Sequence, residues 1–244
     1  LGVASGEPVP DGVVLWTRIV PQPFEPDGGV PASSVEVTWE LASDDAMTDV
    51  VQQGTYATDA AWAHSVHVEV SGLDPATEYW YRFRTGEFES PVGRAKTAPA
   101  PGDTATPLRF AFASCQRWEH GLFTAFADLV VQSPDLVVHL GDYIYEYPIL
   151  VRGDLRDAPE RSTDDISFRA GGETMDLEDY RQRYAIYKRD PHLRAAHEVA
   201  PWIVTWDDHE VANNYFGAVV RDSPYAEPLL ERRAAAYQAF WEHM

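Results

Sequence analysis

Leu136-Val137-Val138-His139-Leu140-Gly141-Asp142-Tyr143-Ile144-Tyr145-Glu146 is an apolar run that stops at a glycine and opens into carboxylates and phenols. A short apolar run bounded by turn residues reads as a buried strand. Two other stretches follow the same plan. Leu108 to Ala113 leads into Ser114-Cys115-Gln116-Arg117, and Trp202 to Trp206 leads into Asp207-Asp208-His209-Glu210, with Asn213-Asn214 just beyond. Helical spacing fills the intervals, over Gly121 to Val131, Asp179 to Tyr187 and Leu193 to Val199. Strand, helix, strand, helix, strand predicts a sheet with helices on its faces. In open sheets of that kind ligands bind beyond the C-terminal ends of the strands, so the three polar clusters are expected to converge.

The converging side chains are a thiol, a carboxylate, a phenol, a second carboxylate and an imidazole. That set suits a metal site better than a nucleophilic triad. Each residue alone has a plainer explanation. Cys115 reads as a small buried hydrophobe. Asp142 after a glycine reads as a turn residue. Tyr143, Tyr145 and Tyr147 can pack a loop, and Asp207 and Asp208 can cap a following helix. His209 can be a satisfied core histidine, and Arg117 an exposed surface arginine. The coincidence of metal-type chemistry at three strand ends tips the reading towards function.

Upstream the pattern changes to period two. Val35-Glu36-Val37-Thr38-Trp39-Glu40-Leu41, Val66-His67-Val68-Glu69-Val70 and Tyr79-Trp80-Tyr81-Arg82-Phe83-Arg84 alternate apolar and polar residues, and Val13-Val14-Leu15-Trp16 follows the turn signal Pro10-Asp11-Gly12. Short strands with turns between them predict a β-sandwich. Gly72-Leu73-Asp74-Pro75-Ala76-Thr77-Glu78-Tyr79 resembles the E–F corner of a fibronectin type III domain, where a tyrosine hydroxyl reaches back to the preceding turn; Tyr79 would fill that structural role. The predicted organisation is multidomain: a sandwich over residues 1–99, a Pro-rich linker over 100–107, and an α/β portion over 108–244. An acidic stretch between Arg152 and Gly172 reads as a long loop over one end of the sheet.

The chain has 244 residues, with 19 Lys and Arg against 39 Asp and Glu, a formal charge of -20. Its 8 Trp, 12 Tyr and 10 Phe supply enough apolar surface to exclude wholesale disorder. The charge excludes a surface that grips nucleic acid by its phosphates. No apolar run approaches the roughly 18 residues of a membrane span. One cysteine excludes an intrachain disulfide. Leu1-Gly2-Val3-Ala4-Ser5-Gly6 reads as domain sequence rather than a signal peptide. The helical pattern Leu229 to Trp241 has no closing residue after it, so the chain is expected to be part of a longer protein. Oligomeric state has no signature in the sequence.

Gly141-Asp142 and Asp207-Asp208-His209-Glu210 resemble the second and third blocks of the calcineurin-like metallophosphoesterases, with Asp208 in the place of an asparagine. The first block of that superfamily, Asp-x-His, is absent, and Cys115 stands there. Ala113-Ser114-Cys115-Gln116, Gly141 to Glu146, Trp206 to Glu210 and the opening Leu1 to Gly6 together are similar to the PhoD-like family of alkaline phosphatases and phosphodiesterases. The resemblance covers nearly the whole chain and extends to a fibronectin-like N-terminal domain. It implies hydrolysis of phosphate diesters and monoesters, bacterial export by the twin-arginine route to the periplasm or the exterior, and a centre of ferric iron and calcium. It also implies roles: Cys115 and Tyr145 on the iron, Asp142 bridging, Asp208 on the calcium. His209 would stand beside the leaving oxygen, with Asn213, Asn214 and Arg117 as candidate substrate or outer contacts. Tyr145 is chosen over Tyr143 because the iron-binding tyrosine of purple acid phosphatases lies three residues after the bridging aspartate.

The assignment is chemically consistent. Thiolate and phenolate are strong anionic donors that suit ferric iron, and carboxylate oxygens suit calcium. The two ions carry one more positive charge than the ionised Cys115, Tyr145, Asp142 and Asp208 carry negative. The remainder can accept a phosphate on an otherwise repelling protein. Two other readings stay open: a phospholipase D-like enzyme acting on lipid headgroups, and a wall- or carbohydrate-binding module beside a degenerate catalytic domain.

Overall fold

A computed structural model describes residues 2–25, 28–30, 34–103, 107–149, 161, 166, 171–217, 219–220 and 229–244. Most of the predicted long loop from Arg152 to Gly172 lies outside the described residues. The first segment carries β1 (Val3–Val9), β2 (Gly12–Arg18), β3 (Val35–Ala42), β4 (Val50–Thr58), β5 (Ser65–Ser71), β6 (Glu78–Thr85), β7 (Phe88–Glu89) and β8 (Gly93–Lys96). The second carries β9 (Phe110–Ala113), α1 (Thr124–Gln132), β10 (Leu136–His139), α2 (Leu177–Lys188), α3 (Pro191–Val199) and β11 (Pro201–Val204). It ends with the ribbon β12 (Tyr215–Phe216) and β13 (Val219–Val220) and with α4 (Leu229–His243).

Among the described residues one sheet runs β5-β2-β1-β11-β10-β9, and a second runs β4-β3-β6-β7, with β8 pairing further along the β6 edge that carries β7. The period-two residues of both sheets meet in one core, where Val13, Leu15, Val66 and Val68 face Val37, Leu41, Tyr81 and Phe83. The Tyr79 hydroxyl accepts the backbone N–H of Asp74 at 3.0 Å, closing the corner before β6.

The two segments do not divide cleanly at the linker. β1 is antiparallel to β2 but parallel to β11, with Ser5 opposite Pro201 and Gly6 opposite Trp202. A strand inside a sheet needs small or apolar residues on both faces, and Val3, Ala4 and Ser5 are all buried. Gly6 makes the approach possible, since a Cβ there would lie 2.9 Å from the carbonyl oxygen of Trp202. Side chains reinforce the junction. Trp16 Nε1 donates to the Glu242 carbonyl at 3.0 Å, Lys96 pairs with Asp135 at 2.6 Å, and Arg94 donates to the carbonyls of Pro134 and Val199.

Two predicted boundaries shift. The helix expected from Gly121 begins at Thr124, because Trp118–His120 form a tight 3₁₀ turn and Phe123 takes φ +45°. The strand expected to reach Trp206 stops at Val204, after which Thr205 N–H turns to the His139 carbonyl. The helices pack on one face of the parallel strands, burying Phe126, Val137, Tyr180, Tyr184, Leu193 and Trp202 together. Asp176 and Asp179 form a reciprocal cap at the start of α2, and Asp190 with Pro191 opens α3.

Lys188, the last residue of α2, is buried with its ammonium 4.0 Å from the centre of the Trp16 ring. Burial, with the charge of Arg18 added, pushes its pKa down to about 7. Between pH 7 and 10 the unfolded chain therefore holds a proton that the folded chain lacks, so stability rises with pH across that window. Melting temperatures measured from pH 7 to 10 are expected to climb, and Lys188→Met is expected to flatten the climb. An unchanged slope in the variant assigns the pH dependence to another group.

Candidate metal centre

The loops after β9, β10 and β11 meet at one sheet edge. Cys115 N–H donates to the Gly141 carbonyl at 3.2 Å and Gln116 N–H to the Asp142 carbonyl at 3.1 Å, stitching the first loop to the second. Cys115, Asp142 and Asn214 all sit at positive φ, at 56°, 54° and 56°. Such backbone costs of order 1–3 kcal/mol each and persists where the surroundings enforce it, as functional sites do.

Asp142, Asp208 and His209 bring one ligand atom each within 4.8 Å of one another. The Tyr145 hydroxyl donates to Asp142 Oδ2 at 3.1 Å, and the Cys115 thiol faces the same hydroxyl. Tyr143 points the other way. Its ring is buried in the core and its hydroxyl pairs with His197 Nε2 at 2.8 Å. α2 holds Tyr145 in place: the Tyr187 hydroxyl accepts its N–H, and the buried Arg183 donates to the carbonyls of Tyr145 and Tyr147.

Two glutamates connect the loops. Glu146 Oε2 meets His209 Nδ1 at 2.7 Å, and its Oε1 accepts the N–H of Asn213 at 2.7 Å. A carboxylate can only accept, so Nδ1 carries a proton and Nε2 is the ring nitrogen left for a ligand. Burial disfavours the imidazolium, but the Glu146 hydrogen bond and the charges of Glu146, Asp142 and Asp208 outweigh it, and the His209 pKa lies above its ordinary value. Glu210 is fully buried and accepts the N–H groups of Asp142, Tyr143 and Asp207. Burial pushes its carboxyl up to about 7, against the pull of those N–H groups.

The remaining candidates stand at the rim. Arg117 is half-buried rather than an exposed surface arginine. Its Nε is tied to Glu119 at 2.7 Å, and its guanidinium lies 5.6 Å and 5.5 Å from the ring centres of Tyr145 and Tyr147. Tyr147 also meets the His209 ring edge-on at 5.4 Å. Asn213 and Asn214 approach through their main chains, Asn213 to Glu146 and Asn214 to the Asp208 carboxylate. Cys115 is exposed, not a core hydrophobe. No helix follows Asp207 and Asp208 directly; the chain makes a turn closed by Val211 and Ala212 N–H on the Asp208 carbonyl.

The family model of the PhoD-like phosphatases matches residues 110–244, and that of their N-terminal domain matches residues 1–99. The chain belongs to the PhoD-like phosphatase family. Over its whole length it is 48% identical to alkaline phosphatase D of Bacillus subtilis (strain 168), of which it spans 40%. A solved structure of PhoD superposes on all of it with a TM-score of 0.90 at 47% identity, the chain covering 45% of that structure. Within this family frame, the chain presents a donor set that fits cations. Asp142 Oδ1 is buried with no hydrogen-bond partner among the described residues, which leaves an acceptor for a ligand. Burial, then the neighbouring Asp142 and Cys115, push the Tyr145 phenol above its ordinary pKa, so its phenolate needs positive charge beside it.

Glu146 and Glu210 stand in the quoted motifs, but sequence reasoning gives them no role. Spacing shows which residues leave a strand end together; it does not show which carboxylate turns inward to the next loop's backbone.

Proposed function

We propose that the protein is an exported, metal-dependent phosphoesterase that hydrolyses phosphate diesters and monoesters at a binuclear centre of ferric iron and calcium. The observation that carries this reading is the grouping of Asp142, Asp208 and His209 with Tyr145 on Asp142. Cys115 and Tyr145 would hold the iron, Asp142 would bridge, and Asp208 would hold the calcium. When bound, such ions supply positive charge to the phosphoryl oxygens and acidify a water. His209, with Nδ1 held by Glu146, keeps Nε2 for the substrate side and would give a proton to the departing oxygen. Arg117 keeps its guanidinium at the rim, where its terminal nitrogens can meet a phosphate; Asn213 and Asn214 complete that rim. Residues 1–99 form a fibronectin III-like domain in this proposal, joined by 100–107 to the catalytic portion from 108; the Tyr79 corner supports it. No helix among the described residues is long and apolar enough to cross a membrane. Cell fractionation tests export.

The test is turnover of a chromogenic phosphodiester and monoester by the full-length protein before and after chelation. Restoration by iron with calcium supports the reading, and undiminished turnover in the stripped, metal-free protein overturns it. A phospholipid hydrolysed faster than the small diester favours a lipid-headgroup enzyme instead. Colour offers a second check. Phenolate on ferric iron absorbs in the visible, so Tyr145→Phe is expected to bleach or shift the band. Tyr143→Phe is expected to leave it, because that hydroxyl is spent on His197. Bleaching by Tyr143→Phe alone would reverse the assignment.

A further inference from the structure

Glu146 leaves the loop after β10 and accepts a backbone N–H from Asn213 in the loop after β11. Glu210 leaves the loop after β11 and accepts backbone N–H groups from Asp142 and Tyr143 in the loop after β10. Each loop thus sends one buried glutamate into the main chain of the other. Glu146 is 2% exposed and Glu210 0%. Their oxygens are committed: Glu146 Oε2 to His209 and Oε1 to Asn213, Glu210 Oε2 to Asp142 and Asp207 and Oε1 to Tyr143. Asp142 Oδ1 has no partner among the described residues. Carboxylates with every oxygen already used are poor metal ligands and good braces.

We propose that Glu146 and Glu210 form a reciprocal clasp that sets the separation of Asp142 from Asp208 and His209 before any ion binds. The inference rests on the metal-centre reading above but not on the ester hydrolysed. Both glutamates are positioning residues. Loops held by charge-assisted hydrogen bonds spend little on ordering when a cation arrives, and outer partners of this kind typically carry about 10- to 100-fold in metal affinity. Gln keeps the volume of Glu but turns one acceptor into a donor. Glu210→Gln must therefore set an NH2 group against an N–H group, and Glu146→Gln must either do the same at Asn213 or force the His209 proton from Nδ1 to Nε2, the nitrogen left for a ligand.

The test uses full-length protein in two measurements. The first is hydrogen exchange of the metal-free protein, resolved to single amides by fragmentation mass spectrometry. The clasp predicts protected amides at Asp142, Tyr143, Asp207 and Asn213 in the wild type. Glu210→Gln is expected to speed exchange at the first three, and Glu146→Gln at Asn213, by about 10- to 100-fold, while amides of β3 and β6 stay unchanged. The second is calcium titration with iron content by elemental analysis. Each variant is expected to bind about 10- to 100-fold more weakly. Free exchange at these amides in the metal-free wild type overturns the clasp even if no variant folds. So does wild-type metal affinity in both Gln variants. Failure of the wild type to hydrolyse any phosphodiester, with protection and metal effects as expected, sinks the phosphoesterase reading and leaves the clasp standing.

Discussion

If Asp142 bridges the proposed iron and calcium, Asp142→Asn is expected to strip both from the protein together, with turnover falling alongside them. Asp142 is the carboxylate at the centre of the grouping. Its Oδ2 receives the Tyr145 hydroxyl, its Oδ1 is buried and open, and it shares a 4.8 Å neighbourhood with Asp208 and His209. The substitution keeps the shape but removes the charge and half the acceptor capacity, so both proposed cation positions would lose a donor. The loss of affinity is expected to exceed the ~100-fold upper end seen for outer partners. His209→Ala is expected to behave differently. Metals stay, and turnover falls by roughly 10²–10⁴-fold, the range for a missing proton-transfer group. Elemental analysis beside kcat for the two variants decides between these roles. Equal metal loss in both would make His209 a ligand through Nε2.

The convergence of the three strand-end loops is legible in the sequence because it follows from local pattern. Apolar runs at Phe110–Ala113, Leu136–His139 and Trp202–Val204 align in parallel, and whatever leaves their C-terminal ends must meet. The choice of Tyr145 over Tyr143 rests on a spacing taken from the purple acid phosphatases, not on local pattern. In the structure the Tyr143 hydroxyl meets His197 and the Tyr145 hydroxyl meets Asp142. Pairing of Ser5 with Pro201 is not legible. It joins residues far apart in sequence, and nothing near either residue specifies a partner across that distance. The same holds for Glu146 and Glu210, whose acceptors turn towards backbone donors 67 or 68 residues away and leave no local trace. Local pattern fixes direction and burial, whereas contacts between loops depend on how the finished sheet is stacked.

Gly141→Ala is expected to disable the centre although glycine contributes no functional group. Gly141 sits at φ +101°, where L-residues are strained. A Cβ added there would lie 2.6 Å from both the Cβ and the backbone nitrogen of Asp207, and 3.0 Å from the carbonyl carbon of Trp206. These are main-chain or near-main-chain atoms of the loop after β11, and no rotamer change removes them. The methyl group must push that loop away from Asp142. Separation breaks the Glu210 contacts to the N–H groups of Asp142 and Tyr143 and widens the gap between Asp142 and Asp208. Backbone strain of ~1–3 kcal/mol and overpacking of ~1–3 kcal/mol add to a large share of the ~5–15 kcal/mol that holds an ordinary domain. Gly72 provides the control. It has φ +78° and nothing within 4 Å of its added Cβ, so Gly72→Ala carries the strain alone. Thermal melts and metal content measured on both variants separate the two effects. Gly141→Ala is expected to melt lower than Gly72→Ala and to lose bound metal, while Gly72→Ala keeps it. Equal melting shifts with wild-type metal content in both would mean that the close approach of the two loops does not set the geometry of the site.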